Sequence, residues 1–329
     1  MASLLSNTPD PTLPTVELHA LSAGHFTLPE EQFVTPSSPG ARKTVPSLAF
    51  LAQHRDPATG DSTRIVFDLG VRRVVERYSE PIQRHLATRL PLTTDPDVVK
   101  SLGAGGLAPD DIDFVFYSHV HWDHVGEPRD FPKSIFVVGP GALDVLAGKS
   151  KSLRGSHSFF EADLLDPSRT IELPDPTDGN QGEGEAGNAI PVGINVKGPW
   201  EQFEGLPAVL DVFKDGSLYV VDAPGHLPGH INLLARTHRG DGSVGWVYLA
   251  GDACHDRRIL RRERAISEWL DAHGQVCCIH VNRAQANETI EMIRGLEGKG
   301  VEIIIAHDVE WEEDPVNAKR FFGASKELE

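Results

Sequence analysis

Three cysteines, Cys254, Cys277 and Cys278, are too few for a disulfide framework, and two of them are adjacent and poorly placed to pair with each other. That scarcity fits a reduced, cytoplasmic setting. Basic residues are also outnumbered. The 31 Lys and Arg stand against 48 Asp and Glu, a net charge of −17. A general nucleic-acid binder needs a basic face for phosphates, and a protein that docks on anionic lipid needs one too, so both classes are disfavoured. No apolar run approaches the roughly 18 residues that span a bilayer. The opening MASLLSNTPDPTLPT has neither the basic segment nor the long apolar stretch of a secretory signal. No GxGxxG and no GKS or GKT follows a strand-like run, which leaves dinucleotide and P-loop folds without support.

What is present is an ordinary globular composition: 329 residues, 40% hydrophobic and 24% charged, enough to bury one large core. Residues 1–15 are expected to form a flexible Pro/Ser/Thr-rich tail, with a single domain over 16–329. VELHAL, SLAFLAQH, STRIVFDLG, IDFVFYS, SIFVVG, SLYVVD, SVGWVYLA and VEIIIA read as strands, the second and third joined as a hairpin through Pro57 and Gly60. VRRVVERYSEPIQRHLATRL, with Pro81 as a break, RRILRRERAISEWLDAH and NRAQANETIEMIRGLEGKG read as helices, the last capped by Asn282 or Asn287 and ended by Gly298 and Gly300. Residues 174–205 read as a long polar loop, either a solvated insertion or a lid. Strands with helices in each half predict a sheet-rich α/β sandwich rather than a nucleotide-binding βαβ fold.

The chemistry concentrates where apolar runs end. SHVHWDH places His119, His121, Asp123 and His124 within six residues directly after IDFVFY. Imidazole and carboxylate are ligands for zinc and related metals, and side chains this dense converge only if a loop at a strand end curls around a common point. DAPGHLPGH adds His226 and His230, LAGDACH adds Asp252 and His255, and IIIAHD adds His307 and Asp308. Any one of these reads as a polar residue meeting water. Four strand ends doing the same thing point to a metal site at one edge of the sandwich. Trp122 is expected to pack under its loop, Cys254 to be a small core residue, and Cys277 and Cys278 to be buried and inert. RRILRRER is expected to form an exposed helix face and EWEED a solvated acidic one.

HxHxDH, then GHxPGH, GD and a late AHD, in that order, resemble the metallo-β-lactamase fold superfamily over the chain from about Val16 onward. The resemblance implies an αββα sandwich of two mixed sheets flanked by helices, with two divalent metal ions, zinc foremost, as cofactors. Carried over by position, it implies His119, His121 and His226 on one metal, Asp123, His124 and His307 on the other, and Asp252 between them. It further implies that Asp68 supports the metal-binding loop from behind, that His230 supports the site rather than coordinating, and that Asp123 serves as general acid and base.

Within the superfamily, the carboxylate at 252 speaks against the antibiotic-cleaving β-lactamases, His121 against the flavodiiron proteins, and the acidic charge against the nucleases. IIIAHDVEW and SHVHWDH look most like the N-acyl homoserine lactonases. These imply a hydrolase of a small-molecule lactone or ester, with a homodimer left open. One departure is His255, which stands where those lactonases carry a Tyr; it is the candidate extra donor to a developing oxyanion. A glyoxalase II-like thioesterase, a single-iron oxygenase of the same fold and a non-catalytic metal-binding protein are the alternatives.

Overall fold

The segment Phe114–Phe116 shows how the chain is layered. Successive side chains of a strand point to opposite faces. Phe114 and Phe116 enter one apolar cluster and Val115 enters another. Ile65 and Phe67 against Val66, and Leu48, Phe50 and Ala52 against Ala49 and Leu51, repeat the division. The computed structural model describes residues 12–150, 153, 157, 159–178, 193–239, 243–271 and 273–324.

These strands belong to a six-stranded mixed sheet with spatial order Val16–Pro29, Arg42–Arg55, Ser62–Phe67, Phe114–Phe116, Ile135–Val138, Thr170–Glu172. Its first three strands pair antiparallel and the rest parallel. The second six-stranded sheet runs Glu302–Ile304, Val244–Leu249, Ile231–His238, Leu218–Asp222, Leu206–Asp211, Glu201–Phe203. Only its first pair is parallel. Leu233, Val247, Leu249 and Ile304 face Phe50, Phe67 and Phe116 between the sheets. Outside the first sheet lies the helix Val98–Ala104, through Val98 and Leu102. Outside the second lies Arg283–Glu297, through Ala286, Ile290, Ile293 and Leu296. The result is the αββα sandwich. Each such fully buried Leu, Ile, Val or Phe contributes about 1.5–3 kcal/mol.

The hairpin around Pro57 and Gly60 joins Arg42–Arg55 to Ser62–Phe67. Asn282 caps the long helix, its side chain accepting from the Gln285 N–H. Several local expectations need correction. In VRRVVERYSEPIQRHLATRL only Val75–Arg77 and Glu80–Leu86 are helical, and Pro81 lies in the first turn of the second, where its missing N–H costs nothing. Arg72 ties the start of that segment inward instead, with Nε donating to the Gly126 carbonyl (2.9 Å) and Nη2 to Glu161 (2.8 Å).

RRILRRERAISEWLDAH is helical only over Arg257–Leu260. Arg262 then takes a left-handed φ of 62°, and Ala265–Ile266 and Trp269–Leu270 form short strands against Val34–Thr35 and Val276–Cys277. Nor are its arginines free: Arg257 binds Asp308, Arg261 binds Glu310 and Arg262 binds Glu291. Within the acidic run EWEED, Glu310 is therefore taken by Arg261 and Glu312 by His25.

Of residues 174–205, 179–192 lie outside the described residues. Ile194, Val196 and Trp200 pack into the core between the sheets, the Trp200 indole donating to the Pro174 carbonyl (2.8 Å). Glu201–Phe203 is a strand rather than loop. Cys254 is buried, but Cys277 and Cys278 are only half-buried, on the wall of a cleft.

Candidate metal centre

Strand direction gathers the polar strand ends. Ser62–Phe67 and Phe114–Phe116 run parallel and lead into Asp68 and Ser118–His124. Leu218–Asp222, Val244–Leu249 and Glu302–Ile304 share one direction in the other sheet and lead into His226, Asp252 and His307. At this edge the sheets are stitched together: Ile231 N–H donates to the Ser118 carbonyl (2.8 Å) and Leu48 N–H to the Ala306 carbonyl (3.0 Å). Two glycines make the approach possible. Gly225, before His226, has a φ of +125° and an added Cβ would lie 2.3 Å from the Ala286 nitrogen; Gly251, before Asp252, has a φ of +46° and an added Cβ would meet Ser118 Cβ at 2.9 Å.

Seven buried side chains form two groups that share Asp252. In the first, His119 Nε2, His121 Nδ1 and His226 Nε2 lie 2.9–3.2 Å apart, and Asp252 Oδ2 is 3.7 Å from His119 Nε2 and 3.6 Å from His226 Nε2. In the second, Asp252 Oδ1 is 3.4 Å from His124 Nε2 and 3.1 Å from His307 Nε2, with Asp123 Oδ2 at 3.9 and 3.5 Å from the same nitrogens. Three ring nitrogens facing one point cannot all hydrogen-bond to one another, whereas one cation satisfies all three. A tetrahedral zinc with arms of about 2.0–2.1 Å sets its ligand atoms about 3.4 Å apart, close to these spacings. His124 Nε2 and Asp252 Oδ1 are buried without a hydrogen-bond partner, as atoms awaiting a cation would be. The residues fit a pair of divalent ions.

The electrostatics agree with that fit. Burial, then the neighbouring imidazoles, hold His119, His121 and His226 well below the usual histidine range, leaving their lone pairs free. For His124 and His307 burial is again the largest influence and opposes charge, but the surrounding carboxylates, Asp252 foremost with Asp123 and, for His124, Asp68, together outweigh it and both are raised. Burial disfavours the Asp252 carboxylate, yet His307, His255 and His124 hold it well below the usual range. Burial dominates at Asp123 and raises it. A cation taking this place would displace such protons.

The surrounding bonds aim the ligand atoms. Asp68 accepts from Ser118 N–H (2.7 Å), Ser118 Oγ (2.7 Å) and His124 Nδ1 (2.8 Å), while itself holding a left-handed φ of 62°. His307 Nδ1 donates to the Pro46 carbonyl (2.8 Å). His230 belongs to neither group. Its Nδ1 donates to the Ala223 carbonyl and its Nε2 accepts the Asp252 N–H at 3.1 Å, holding the backbone of the shared carboxylate, and burial lowers its pKa to about 3. His255 Nε2 lies 3.0 Å from Asp252 Oδ2, and the start of the helix after it is capped by the Asp256 side chain, not by His255. Cys254 lies in no such group, its Sγ turned to the Asp256 carbonyl and its pKa pushed up to about 12 by burial.

Two histidines escape the sequence reading. His157 Nδ1 lies 3.0 Å from His121 Nε2, while its own Nε2 donates to the Cys278 carbonyl. No apolar run precedes it. His280 is buried beside His226 and His255, and VCCIH carried the signal that marked the others, an apolar run ending in histidine. Above the two groups a narrow pocket is walled by Phe26, Leu28, Phe33, Trp122 and Ile279. Trp122 also packs edge-on against Phe26, ring centres 4.9 Å apart. Through His85, Arg89 and His157 the pocket adjoins an outer cleft of about 790 Å3. None of the described residues of 174–205 lines either one. Among the described residues no helix is long and apolar enough to cross a membrane.

Residues 58–240 match the model of the metallo-beta-lactamase superfamily. The chain is 27% identical over 318 residues to the cytochrome P450 monooxygenase mpaDE of Penicillium brevicompactum, covering 91% of this chain and 34% of that protein. It thus spans about a third of the length of that relative. It is 30% identical over 193 residues to the gamma-lactamase MBL2 of Gibberella moniliformis, covering 58% of this chain and 70% of the relative. Among solved structures, an N-acyl homoserine lactone hydrolase with the product N-hexanoyl-L-homoserine at its catalytic metal centre shares the fold, with a TM-score of 0.59, 17% identity, and coverage of 92% of this chain and 96% of that one. With the family model over more than half the chain, the αββα sandwich and the gathered His/Asp edge, the chain belongs to the metallo-beta-lactamase superfamily.

Proposed function

We propose that the chain is a dinuclear metal-dependent hydrolase that opens a lactone or related ester. The observation that carries this reading is Asp252, which turns one carboxylate oxygen toward the His119/His121/His226 group and the other toward the His124/His307 group. His119, His121 and His226 would hold one ion, Asp123, His124 and His307 the other, and Asp252 both. Two divalent ions, zinc foremost, supply Lewis acidity toward a carbonyl oxygen and hydroxide near neutral pH.

The side chains do the rest. Asp123, raised by burial, holds and returns a proton between the attacking oxygen and the leaving alkoxide. Phe26, Leu28, Phe33 and Trp122 exclude water from the pocket and seat an acyl or ring group. His255 was expected as a donor to the oxyanion. Its Nε2 lies 3.0 Å from Asp252 Oδ2, so the role we assign it is to orient the shared carboxylate. A cyclic amide is the second reading, favoured by the likeness to a gamma-lactamase.

The test is a hydrolysis screen of the purified protein against lactones, linear esters, lactams and thioesters, with metal analysis of the same sample. Two equivalents of metal with lactone or ester turnover are expected. Lactam turnover selects the second reading, thioester preference a glyoxalase II-like enzyme, and one iron with oxygen uptake an oxygenase. Metal without turnover of any class refutes the hydrolytic reading.

A further inference from the structure

The passage to the metal groups contains a positive charge that hydrolysis alone does not use. Arg89 is 7% exposed and lines both the narrow pocket, beside Asp123 and His307, and the outer cleft. A guanidinium has five N–H donors. Nε donates to His85 Nε2 (3.3 Å) and one Nη2 hydrogen to Gln32 Oε1 (3.1 Å). Both acceptors are neutral, since burial and then Arg89 itself lower the His85 pKa to about 4. Among the described residues, three donors, including both on Nη1, have no acceptor.

Among the described residues no carboxylate lies within 4.0 Å of this guanidinium, whereas Arg72, still more deeply buried, pairs with Glu161. Burial lowers the Arg89 pKa only to about 10, so it is cationic at neutral pH. At the exposed mouth of the same cleft Arg42 gives its Nη2 donors to backbone carbonyls, and among the described residues it too meets no carboxylate. The acids on the cleft leave both arginines alone: Glu268 is taken by Arg283, Asp271 accepts from the His273 and Gln275 N–H groups, and Glu31 bonds to neither.

Asp123 acts on Arg89 only from beyond contact distance, and a buried charge with no carboxylate in contact is costly and persists where something else supplies the partner. The flat edge of a guanidinium, half committed to neutral acceptors, fits the two oxygens of a carboxylate. We propose that Arg89 recognises a carboxylate carried by the substrate away from the bond that is cleaved, with Arg42 drawing that charge to the mouth. The substrate class becomes lactones, esters or cyclic amides bearing a free acid. This rests on the hydrolytic reading above.

The test compares the 4-nitrophenyl monoester of glutaric acid with neutral 4-nitrophenyl pentanoate on the metal-loaded protein, in the parent, Arg89→Gln and Arg89→Lys. Loss of a charge-assisted pair corresponds to about 10–100-fold. In Arg89→Gln the anionic ester should therefore lose at least tenfold more kcat/KM than the neutral one, mainly through KM, with partial recovery in Arg89→Lys. Equal losses for the two esters, with metal content retained, would overturn the proposal. Calorimetric titration with N-phenylglutaramate, which needs no turnover, keeps the two questions apart. If neither ester is hydrolysed, nor any lactone, lactam or thioester of the screen above, the hydrolytic reading fails. Arg89 recognition then stands if Arg89→Gln binds this acid at least tenfold more weakly than the parent, and falls if the two bind it alike.

Discussion

Replacing Asp68 by Asn tests whether a residue that touches no metal position sets the second one. The backbone tolerates the change, because Asn accepts the left-handed φ of 62° that Asp68 holds. Only the pattern of donors and acceptors differs. The Ser118 N–H can only donate, so the amide oxygen must stay opposite it at 2.7 Å. The amide NH2 then occupies the place of Oδ2, facing Ser118 Oγ and His124 Nδ1. The serine hydroxyl rotates to accept. The imidazole must move its proton from Nδ1 to Nε2, the atom that faces Asp252 Oδ1 at 3.4 Å and that we assign to the second metal. A ligand nitrogen capped by its own proton cannot coordinate.

Loss of such a supporting carboxylate weakens metal affinity by about 10–100-fold, or about 1.4–2.8 kcal/mol. Zinc titration of the stripped protein in competition with a chromophoric chelator should show one equivalent bound within threefold of the parent and one weakened by that factor. Two sites of parental affinity in a protein of unchanged melting temperature would refute the tautomer argument. Equal weakening of both sites would show that Asp68 holds the whole loop rather than one ring.

Three further outcomes follow from other parts of the site and fold. His255→Phe preserves a ring against Phe33, whose centre lies 5.3 Å away, and should lower kcat about tenfold at constant metal content; parental turnover would remove His255 from the mechanism. Gly225→Ala forces a Cβ to within 2.3 Å of the Ala286 nitrogen at a φ of +125° and should cost about 2–4 kcal/mol in urea unfolding, so a change below 1 kcal/mol would mean that the loop relaxes freely. Burial raises Asp222 to about 6. The unfolded chain therefore releases this proton first, and the group subtracts stability as pH rises from about 4 through 6; Asp222→Asn should raise stability by about 1–2 kcal/mol at pH 8, after allowance for solvent screening, and leave it unchanged at pH 3.5, and no gain at pH 8 would show the carboxylate to be solvated.

Much of the site was legible because the metal chemistry is written in local pattern. His119, His121, Asp123 and His124 fall on one short turn, and His226, Asp252 and His307 each follow an apolar strand by a few residues, so type and spacing alone nominate them. His157 was not legible, because a polar stretch without a strand gives no such mark. Arg89 was hidden for a different reason. Nothing about an arginine in RHLATRL shows that the fold leaves it without a carboxylate. The misread helix after Arg257 has the same origin: helical composition between 257 and 273 was overridden by Arg257 reaching Asp308 and by edge pairing of Ala265–Ile266 with Val34–Thr35. Local propensity is worth a few tenths of a kcal/mol per residue, and tertiary bonds exceed it.

By itself, then, the chain determines the layered architecture, through the alternation of FVF, IVF and WVYL, and the kinds of ligand at one edge, through the residues that end each run. Only the tertiary structure decides which oxygen of Asp252 faces which histidines, that His255 Nε2 lies beside that carboxylate, and that the Arg89 guanidinium lines the way in. Those are relations between atoms far apart in sequence, set when two twisted sheets pack and their strand ends meet, and no spacing along the chain encodes them.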